Sequence, residues 1–165
     1  MFNVRRVFRR SPRTGAEHDF YVLDAVDWVN VIAVTPQREL VMVEQFRHGT
    51  ESVDLEIPGG VMEAEDPSPL ATGVRELREE TGFVGERARI VGRVRPNPAL
   101  MSNTCYTVLV EDCALRETVA LDHGEDLATR LVPWGEVRRL VADGTIHHSL
   151  VVAALYQYEL SEAPR

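Results

Sequence analysis

One nine-residue stretch decides the fold of this chain: Arg75-Glu76-Leu77-Arg78-Glu79-Glu80-Thr81-Gly82-Phe83. Read as a helix at about 100° per residue, it places Glu76, Glu79 and Glu80 on one arc of the helix surface. A different arc carries an apolar stripe suited to face a core, and the stripe is formed by Leu70, Val74 and Leu77. The pattern therefore predicts an amphipathic helix that carries three neighbouring carboxylates.

Three carboxylates this close together have two explanations. Like charges at this spacing destabilise an isolated helix by roughly 0.2–0.5 kcal/mol per pair, so a bound cation would offset a real cost. Mg²⁺ or Mn²⁺ is the natural candidate, because both ions take carboxylate oxygens, carbonyls and water as ligands. The alternative is a solvated acidic face that forms salt bridges with Arg75 and Arg78, as charge runs commonly do. The flanking sequence favours the cation.

The segments on either side give the helix defined ends. Upstream, the run Leu55-Glu56-Ile57-Pro58-Gly59-Gly60 reads as an apolar strand that ends in a glycine loop, where backbone can approach a ligand closely. Ser68 is a candidate N-cap, Pro69 suits the first helical position, and Gly82 supplies the C-terminal stop. We therefore predict a helix over 68–81, preceded by a strand and a glycine loop.

This order of features resembles the Nudix box, Gly-x5-Glu-x7-Arg-Glu-U-x-Glu-Glu-x-Gly-U, in which U is a bulky apolar residue. The nine-residue stretch matches the second half of the box at every fixed position. In the first half, the Glu position falls on Pro67 and the Gly position on Val61, so Gly60 lies one residue too early and the loop has one extra residue. Asp66 or Glu65 is expected to replace the missing Glu. The resemblance extends over nearly the whole chain.

Length and composition describe an ordinary globular domain. The chain has 165 residues, 44% hydrophobic and 27% charged, which suits one domain with a substantial core. A net charge of −8 argues against broad nucleic-acid binding. Cys105 and Cys113 make no disulfide framework and are expected to be free thiols in a reducing cytosol. Because we find no apolar run of roughly 18 residues and no signal-peptide core, we expect a cytoplasmic protein that does not engage membranes.

Hydrophobic patterning divides the chain into an arm and a main domain. Residues 1–28 read as an N-terminal β-hairpin around a Ser-Pro-Arg-Thr-Gly turn, with the alternative that its arginines form a targeting or nucleic-acid arm. Residues 29–165 are expected to be the Nudix hydrolase domain. Strands are predicted at 29–34, 40–46, 54–58, 88–95 and 104–111. Helices are predicted at 68–81, from Pro133-Trp134 to a stop at Asp143-Gly144, and from about Ser149 to Leu160. The expected class is α/β: a Nudix α/β/α sandwich with a mixed sheet, the box helix and the hairpin arm.

The resemblance implies a set of metal-binding and catalytic residues on and beside the helix. Glu76 and Glu80 would be the principal metal ligands, Glu79 a further ligand or the base, and the Gly59 carbonyl would complete the set. Arg75, one helical turn before Glu79, is expected to orient that carboxylate rather than contact substrate. The implied cofactor is Mg²⁺, or Mn²⁺, which neutralises phosphate charge and lowers the pKa of a bound water.

Two further motifs resemble the family branch that hydrolyses ADP-ribose and nucleotide sugars. They are Glu44-Gln45-Phe46-Arg47 and the 55–60 run quoted above. The branch implies that Arg47 reaches the substrate phosphates or the distal sugar and that Glu56 holds that sugar. The alternative is an ion pair of Arg47 with Glu44 or Glu56. Trp28 either stacks on a nucleobase or packs at a dimer interface.

The same branch often takes a catalytic carboxylate from a mobile loop before a late strand and the penultimate helix. The matching segment here is 122–127, in which Glu125 is the expected general base or second metal contact and Asp126 the substitute. The alternative is an ordinary polar loop. His147 and His148 have no carboxylate or cysteine partner at zinc spacing, so we expect them to begin a helix rather than to bind metal.

These features together predict Mg²⁺-dependent hydrolysis of the diphosphate bond of ADP-ribose or a nucleoside diphosphate sugar, giving a nucleoside monophosphate and a sugar phosphate. One alternative is a house-cleaning nucleoside triphosphate pyrophosphatase. The hairpin counts against it, because it resembles the dimerising arm of the sugar-nucleotide group. The other alternative is a non-catalytic ADP-ribose-sensing module, although such modules tend to lose the carboxylates present here. The expected partners are a small nucleoside diphosphate derivative and a second copy in a homodimer, without nucleic acid.

Overall fold

Short strands and three helices make up the part of the chain described by the computed structural model, residues 2–121 and 123–163. In chain order the elements are β1 (Phe2–Arg10), β2 (Glu17–Ala25), β3 (Trp28–Ala33), β4 (Glu39–Arg47), β5 (Ser52–Glu56), β6 (Gly59–Val61), α1 (Pro69–Thr81), β7 (Phe83–Val84), β8 (Arg87–Val94), β9 (Cys105–Glu111), β10 (Ala114–Leu115), β11 (Leu127–Pro133), α2 (Trp134–Ala142) and α3 (Ser149–Glu162).

Two sheets form the centre of the molecule. One has the strand order β6-β3-β9-β8, in which β3 and β9 are parallel and the other two pairs are antiparallel. The second sheet, β11-β4-β5, is antiparallel throughout. The sheet system is therefore mixed, as predicted.

The central strands are buried on both faces. Along β3, Val29 and Val31 belong to a core cluster with Leu77 of α1, whereas Ile32 belongs to a second cluster with Leu155 of α3. Side chains alternate between the two faces of a strand, so one apolar run serves both clusters. Helix α1 covers one face and α2 with α3 the other, which confirms the predicted α/β/α sandwich.

Helix α1 begins and ends as its sequence predicts. The Ser68 hydroxyl accepts a hydrogen bond from the Ala71 N–H at 3.2 Å, and Pro69 is the first helical residue. Gly82 closes the helix with a φ of 71°, and its N–H donates to the Arg78 carbonyl at 2.8 Å. A left-handed residue at this position is the usual reason for a glycine after a helix.

The N-terminal hairpin projects from the sandwich. Within the described residues β1 pairs only with β2, and the hairpin joins the body where the Leu23 N–H donates to the Leu100 carbonyl at 2.8 Å and the Leu23 carbonyl accepts from Ser102 N–H at 3.1 Å. One face of the hairpin exposes several large apolar side chains, namely Phe2, Val4, Phe8 and Tyr21. The hairpin itself is present as predicted, while its role in dimerisation stays a prediction.

Some local features differ from expectation. The predicted glycine loop at 59–60 is the short strand β6. Three strands were given no range from the sequence: β11, which follows the loop at 122–127, and the two-residue strands β7 and β10. Both cysteines are free and buried. No helix in the described ranges combines the length and the apolar content that crossing a membrane would take.

Candidate active site

Arg75 lies at the centre of an ion-pair network on the carboxylate face of α1. Its guanidinium donates to Glu79 at 2.8 Å and to Asp66 at 2.9 Å, and it lies 3.0 Å from Glu76. It also donates to the Val61 carbonyl at 3.3 Å. The Asp66 hydrogen bond is the largest of the effects that hold the pKa of Arg75 above its usual value. One arm of Arg75 therefore holds the Glu79 carboxylate, which is the arrangement that an orienting role requires.

Asp66 anchors this network from the loop before α1. Its carboxylate accepts from Arg75, from the Thr72 hydroxyl at 3.0 Å and from the Glu63 N–H at 3.0 Å. The Arg75 hydrogen bond lowers the pKa of Asp66 to about 2. Asp66 thus pairs its carboxylate with Arg75. It directly precedes Pro67, which occupies the position of the upstream Glu in the box.

Glu76 and Glu80 are carboxylates withdrawn from solvent. The Glu76 side chain is 12% exposed and Glu80 is 4% exposed. Burial raises the pKa of Glu76 to about 7 and that of Glu80 to about 8, and the charge of Glu125 acts in the same direction on both. One Glu80 oxygen accepts from the Gly59 N–H at 3.0 Å. Buried carboxylates of this kind are the groups that a divalent cation would stabilise in their charged form.

The two glycines of β6 allow strand and helix to touch. A Cβ at Gly60 would overlap the Glu76 carboxylate, and a Cβ at Gly59 would overlap the Val29 carbonyl. Both positions therefore require glycine because it has no side chain, and not because the backbone adopts an unusual angle. At these glycines a paired strand, rather than the predicted loop, brings backbone close to the carboxylates of α1.

The register of β6 also determines where the Gly59 carbonyl points. Gly59 lies opposite Asn30, beside the bond that Val31 N–H donates to the Pro58 carbonyl at 2.8 Å. The Asn30–Gly59 pair is therefore a non-hydrogen-bonded one, whose backbone groups point away from the partner strand. The Gly59 N–H meets Glu80, and the carbonyl of the same residue points to the same side of β6. Its role as a metal ligand stays a prediction.

A cavity of about 210 Å³ lies over these groups and will be called the acidic cavity. Its lining includes Glu76, Glu79, Glu80 and Glu125. The loop before β11 thus brings Glu125 onto the carboxylates of α1, across some 45 residues of chain. Asp126 does not line this cavity, and Asp122, the first residue of the predicted loop, lies outside the described residues.

The donor set fits a hard divalent cation in its chemistry. Carboxylates and a backbone carbonyl are the ligands that Mg²⁺ and Mn²⁺ prefer. In the side-chain arrangement shown, no group of three His, Cys, Asp or Glu residues among 2–121 and 123–163 is placed to hold a metal ion. Arg75 engages Glu79, and Gly59 engages one oxygen of Glu80. A metal ion would therefore require these side chains to turn toward the cavity.

A larger pocket of about 450 Å³, called here the large pocket, shares a wall with the acidic cavity. The shared wall consists of Arg47 and residues 59–61. Arg47 forms a two-point ion pair with Glu56, at 2.6 Å from Nε and 2.8 Å from Nη2, so the predicted alternative of an ion pair is present. Trp28 lines the same pocket, half-buried at the start of β3. The three residues predicted to bind substrate therefore lie together.

His147 and His148 were expected to begin a helix, and His148 occupies the N-cap position of α3. Each also has a carboxylate nearby that the sequence did not predict. His147 Nε2 lies 3.3 Å from Asp54, and His148 Nδ1 lies 4.0 Å from Glu56. Both carboxylates come from β5, about 90 residues away in the chain, so no spacing rule could reveal the pairing. The only sequence signal was the alternation along β5, which places Asp54 and Glu56 on one face.

Comparison with solved structures shows which fold the chain has. A structure described as "Crystal structure of ADP compounds hydrolase" aligns with a TM-score of 0.81, covering 98% of this chain and 92% of its own, at 20% identity. This similarity shows that the two proteins share a fold.

Sequence comparison then supplies the family. The model of the NUDIX domain matches residues 26–155. An ADP-ribose pyrophosphatase of Bacillus subtilis is 29% identical over 136 residues, 82% of this chain and 73% of its own. An ADP-sugar pyrophosphatase of Mus musculus is 34% identical over 145 residues, 84% of this chain and 66% of its own. The chain belongs to the Nudix family of pyrophosphohydrolase enzymes.

Proposed function

We propose that this enzyme hydrolyses the diphosphate bond of ADP-ribose or a closely related nucleoside diphosphate sugar. The observation that carries the proposal is the pair of adjoining cavities. Such a substrate has its charge in the middle and a bulky group at each end. The acidic cavity with a cation would take the diphosphate, and the large pocket offers room for one end. The names of the relatives from Bacillus subtilis and Mus musculus support the same substrate class.

Glu76 and Glu80 would hold Mg²⁺ or Mn²⁺, with Glu79 and the Gly59 carbonyl as further ligands. When bound, the ion supplies Lewis-acid neutralisation of the diphosphate charge and a lowered pKa for bound water. Arg75 would keep Glu79 oriented through the 2.8 Å contact. Arg47, already paired with Glu56, would face the phosphates from the wall between the two cavities.

Glu125 is the proposed general base. A water oxygen would attack one phosphorus, the bond from that phosphorus to the bridging oxygen would break, and Glu125 would accept the proton of the water. The products are a nucleoside monophosphate and a sugar phosphate. Support comes from the position of Glu125 in the lining of the acidic cavity, together with the three carboxylates of α1. The same complete set argues against a module that only binds ADP-ribose.

A substrate panel tests this proposal. Purified protein with Mg²⁺ would be offered ADP-ribose, several nucleotide sugars and the nucleoside triphosphates, with product phosphate scored after added phosphatase. We expect turnover of ADP-ribose or a nucleotide sugar to exceed that of every triphosphate by at least about tenfold. A preference for triphosphates would replace the proposal with the house-cleaning alternative.

We also propose a homodimer formed through the hairpin. A two-stranded hairpin is marginal by itself and needs a surface to bury its apolar side chains. Phe2, Val4 and Phe8 are each about 60% exposed, and Tyr21 adds to the same face. Light scattering should give a mass near twice 18.5 kDa at micromolar concentration. A single species near 18.5 kDa would rule the dimer out.

A further inference from the structure

Glu125 is carried by a short segment whose two ends are fixed to the body of the protein. At one end, the Ala120 N–H donates to the Glu79 carbonyl at 2.8 Å. At the other end, Leu127 pairs with Gln45, where β11 joins β4. Residues 121–126 lie between these two anchors and will be called the Glu125 segment. Because both ends are held, the direction of the Glu125 side chain depends on the few backbone angles inside the segment.

The first anchor is attached to the end of α1. The Arg116 and Glu117 N–H groups donate to the Gly82 carbonyl at 3.0 and 3.1 Å. A Cβ at Gly82 would overlap the Glu117 carbonyl, so the chain passes directly against the end of the helix. Together with the Ala120 bond, these contacts hold the chain on α1 just before the Glu125 segment. The segment therefore starts from a point that is fixed relative to the helix with the three carboxylates.

Gly124 has a positive φ, the only one among the described residues of the Glu125 segment. Its φ is 98°, in a region of backbone conformation that residues with a side chain rarely adopt. A Cβ built on Gly124 meets no described atom within 4 Å. Space is therefore not the reason for a glycine here, in contrast to Gly60, where a Cβ would overlap the Glu76 carboxylate. Position 124 requires glycine for its backbone angle.

This angle matters because Glu125 is the next residue. Rotation about the Gly124 backbone turns the following peptide, and with it the direction in which the Glu125 side chain leaves the chain. Glu125 lines the acidic cavity, whereas Asp126, one residue further on, does not. A negative φ at Gly124 would send the Glu125 side chain in another direction while both anchors stayed in place. The backbone of the segment therefore determines which carboxylate enters the cavity.

We propose that Gly124 is a positioning residue, whose left-handed backbone directs the Glu125 carboxylate into the acidic cavity. Gly124 has no side chain and acts through Glu125 rather than on the substrate. The effect on catalysis rests on the proposed function, in which Glu125 accepts the proton of the attacking water. A general base must lie within hydrogen-bond reach of that water, so a small displacement of its carboxylate is costly. The placement of Glu125 itself does not depend on the proposed function.

Gly124→Ala and Gly144→Ala form a matched pair of variants that tests this proposal. Gly144 follows α2 with a φ of 81°, and a Cβ there also meets no described atom within 4 Å. Alanine should therefore destabilise the fold to a similar extent at both positions, by a few degrees of Tm. Only Gly124→Ala should lower kcat, by at least about tenfold, with KM changed less than about twofold.

A double variant shows whether the loss of activity arises through Glu125. Gly124→Ala added to Glu125→Gln should lower kcat no further, because the carboxylate that the glycine positions is already absent. Losses that multiply would mean that Gly124 affects the reaction by another route, and they would overturn the proposal. So would an equal fall in kcat in Gly144→Ala, or a normal kcat in Gly124→Ala when Glu125→Gln is slow.

Crystal structures of the wild-type protein and of Gly124→Ala give a measurement that does not need activity. We expect the Glu125 carboxylate inside the acidic cavity in the wild-type protein and outside it in the variant, with the Ala120–Glu79 hydrogen bond kept in both. The same placement of Glu125 in both structures would reject the inference. If Glu125→Gln kept full activity, the proposed base and the kinetic comparison would fail together, while the two structures would still decide whether Gly124 directs Glu125.

Discussion

The acidic cavity and the large pocket share a wall but are built in opposite ways. Three of the five carboxylates that line the acidic cavity come from five consecutive residues of α1. The large pocket collects its polar groups from β3, β4, β5 and the start of α3, which span some 120 residues of chain. Local periodicity therefore assembles the proposed chemistry, whereas tertiary packing assembles the proposed recognition. Substitutions in the two regions should accordingly have different effects on the measured properties of the enzyme.

The largest effect is expected from Glu80→Gln, which removes a charge from the acidic cavity. We expect kcat to fall by at least two orders of magnitude, since metal-based charge stabilisation contributes several kcal/mol to the transition state. The loss should be similar for every substrate, because the diphosphate is common to all. Glu136→Gln, at an exposed position of α2, is the control. Retention of more than a tenth of wild-type turnover at saturating Mg²⁺ would refute the metal assignment.

Glu125→Gln distinguishes the loop from the helix as the source of the base. We expect kcat to fall about 100-fold with little change in KM, because the base acts chiefly in the transition state. The acid limb of the pH–rate profile should change as well. Normal kinetics in this variant, together with a collapse in Glu79→Gln, would place the base on α1 and bring the enzyme closer to triphosphate-cleaving relatives.

Gly60→Ala tests the close contact between β6 and Glu76. The new Cβ would displace the Glu76 carboxylate, which is the flexible end of a side chain, so the fold should tolerate it. We expect the Mg²⁺ concentration for half-maximal activity to rise about tenfold, with Tm changed by only a few degrees. Gly135→Ala is the matched control, since a Cβ there meets open space. Equal metal dependence in both variants would mean that Glu76 does not bind the ion.

The smallest effect concerns stability against pH in the metal-free protein. Burial raises the pKa of Glu76 to about 7 and that of Glu80 to about 8, from an ordinary value of 4.5. The folded state therefore holds these protons more tightly than the unfolded state does. This contribution to stability is complete below about pH 4.5 and is lost as the pH rises through 7 and 8.

We accordingly expect Tm in EDTA to fall by a few degrees between pH 5 and pH 8, at roughly 2–4 °C per kcal/mol for a chain of this size. Mg²⁺ should reverse the fall, because a ligand that binds only the folded state stabilises it. Glu80→Gln should flatten the dependence on pH. The same slope in Glu80→Gln and in the wild-type protein would show that Glu80 is not the group responsible.

The sequence predicted the helix, its caps and most strands closely, because these depend on neighbours in the chain. Ser68, Pro69 and Gly82 each act on backbone groups within four residues of their own position. The short strands β7 and β10 were missed, because two-residue strands carry no periodic signal. Strand β11 was given no range either, and the resemblance implied only that a strand follows the loop at 122–127. Strand β6 was mistaken for a loop, because its two glycines indicate that backbone approaches another group closely but do not indicate whether a strand or a loop makes the approach.

What the sequence determined by itself is the family, the α/β/α sandwich and a helix with three carboxylates on one side. The helix and the strands follow from spacings of three, four or two residues along the chain, whereas the family follows from the resemblance to the Nudix box. Only the tertiary structure decided that Arg47 pairs with Glu56, that Glu125 enters the acidic cavity and that His148 lies beside the carboxylates of β5. The physical reason is that such contacts are set by the packing of distant elements, which leaves no trace in local spacing.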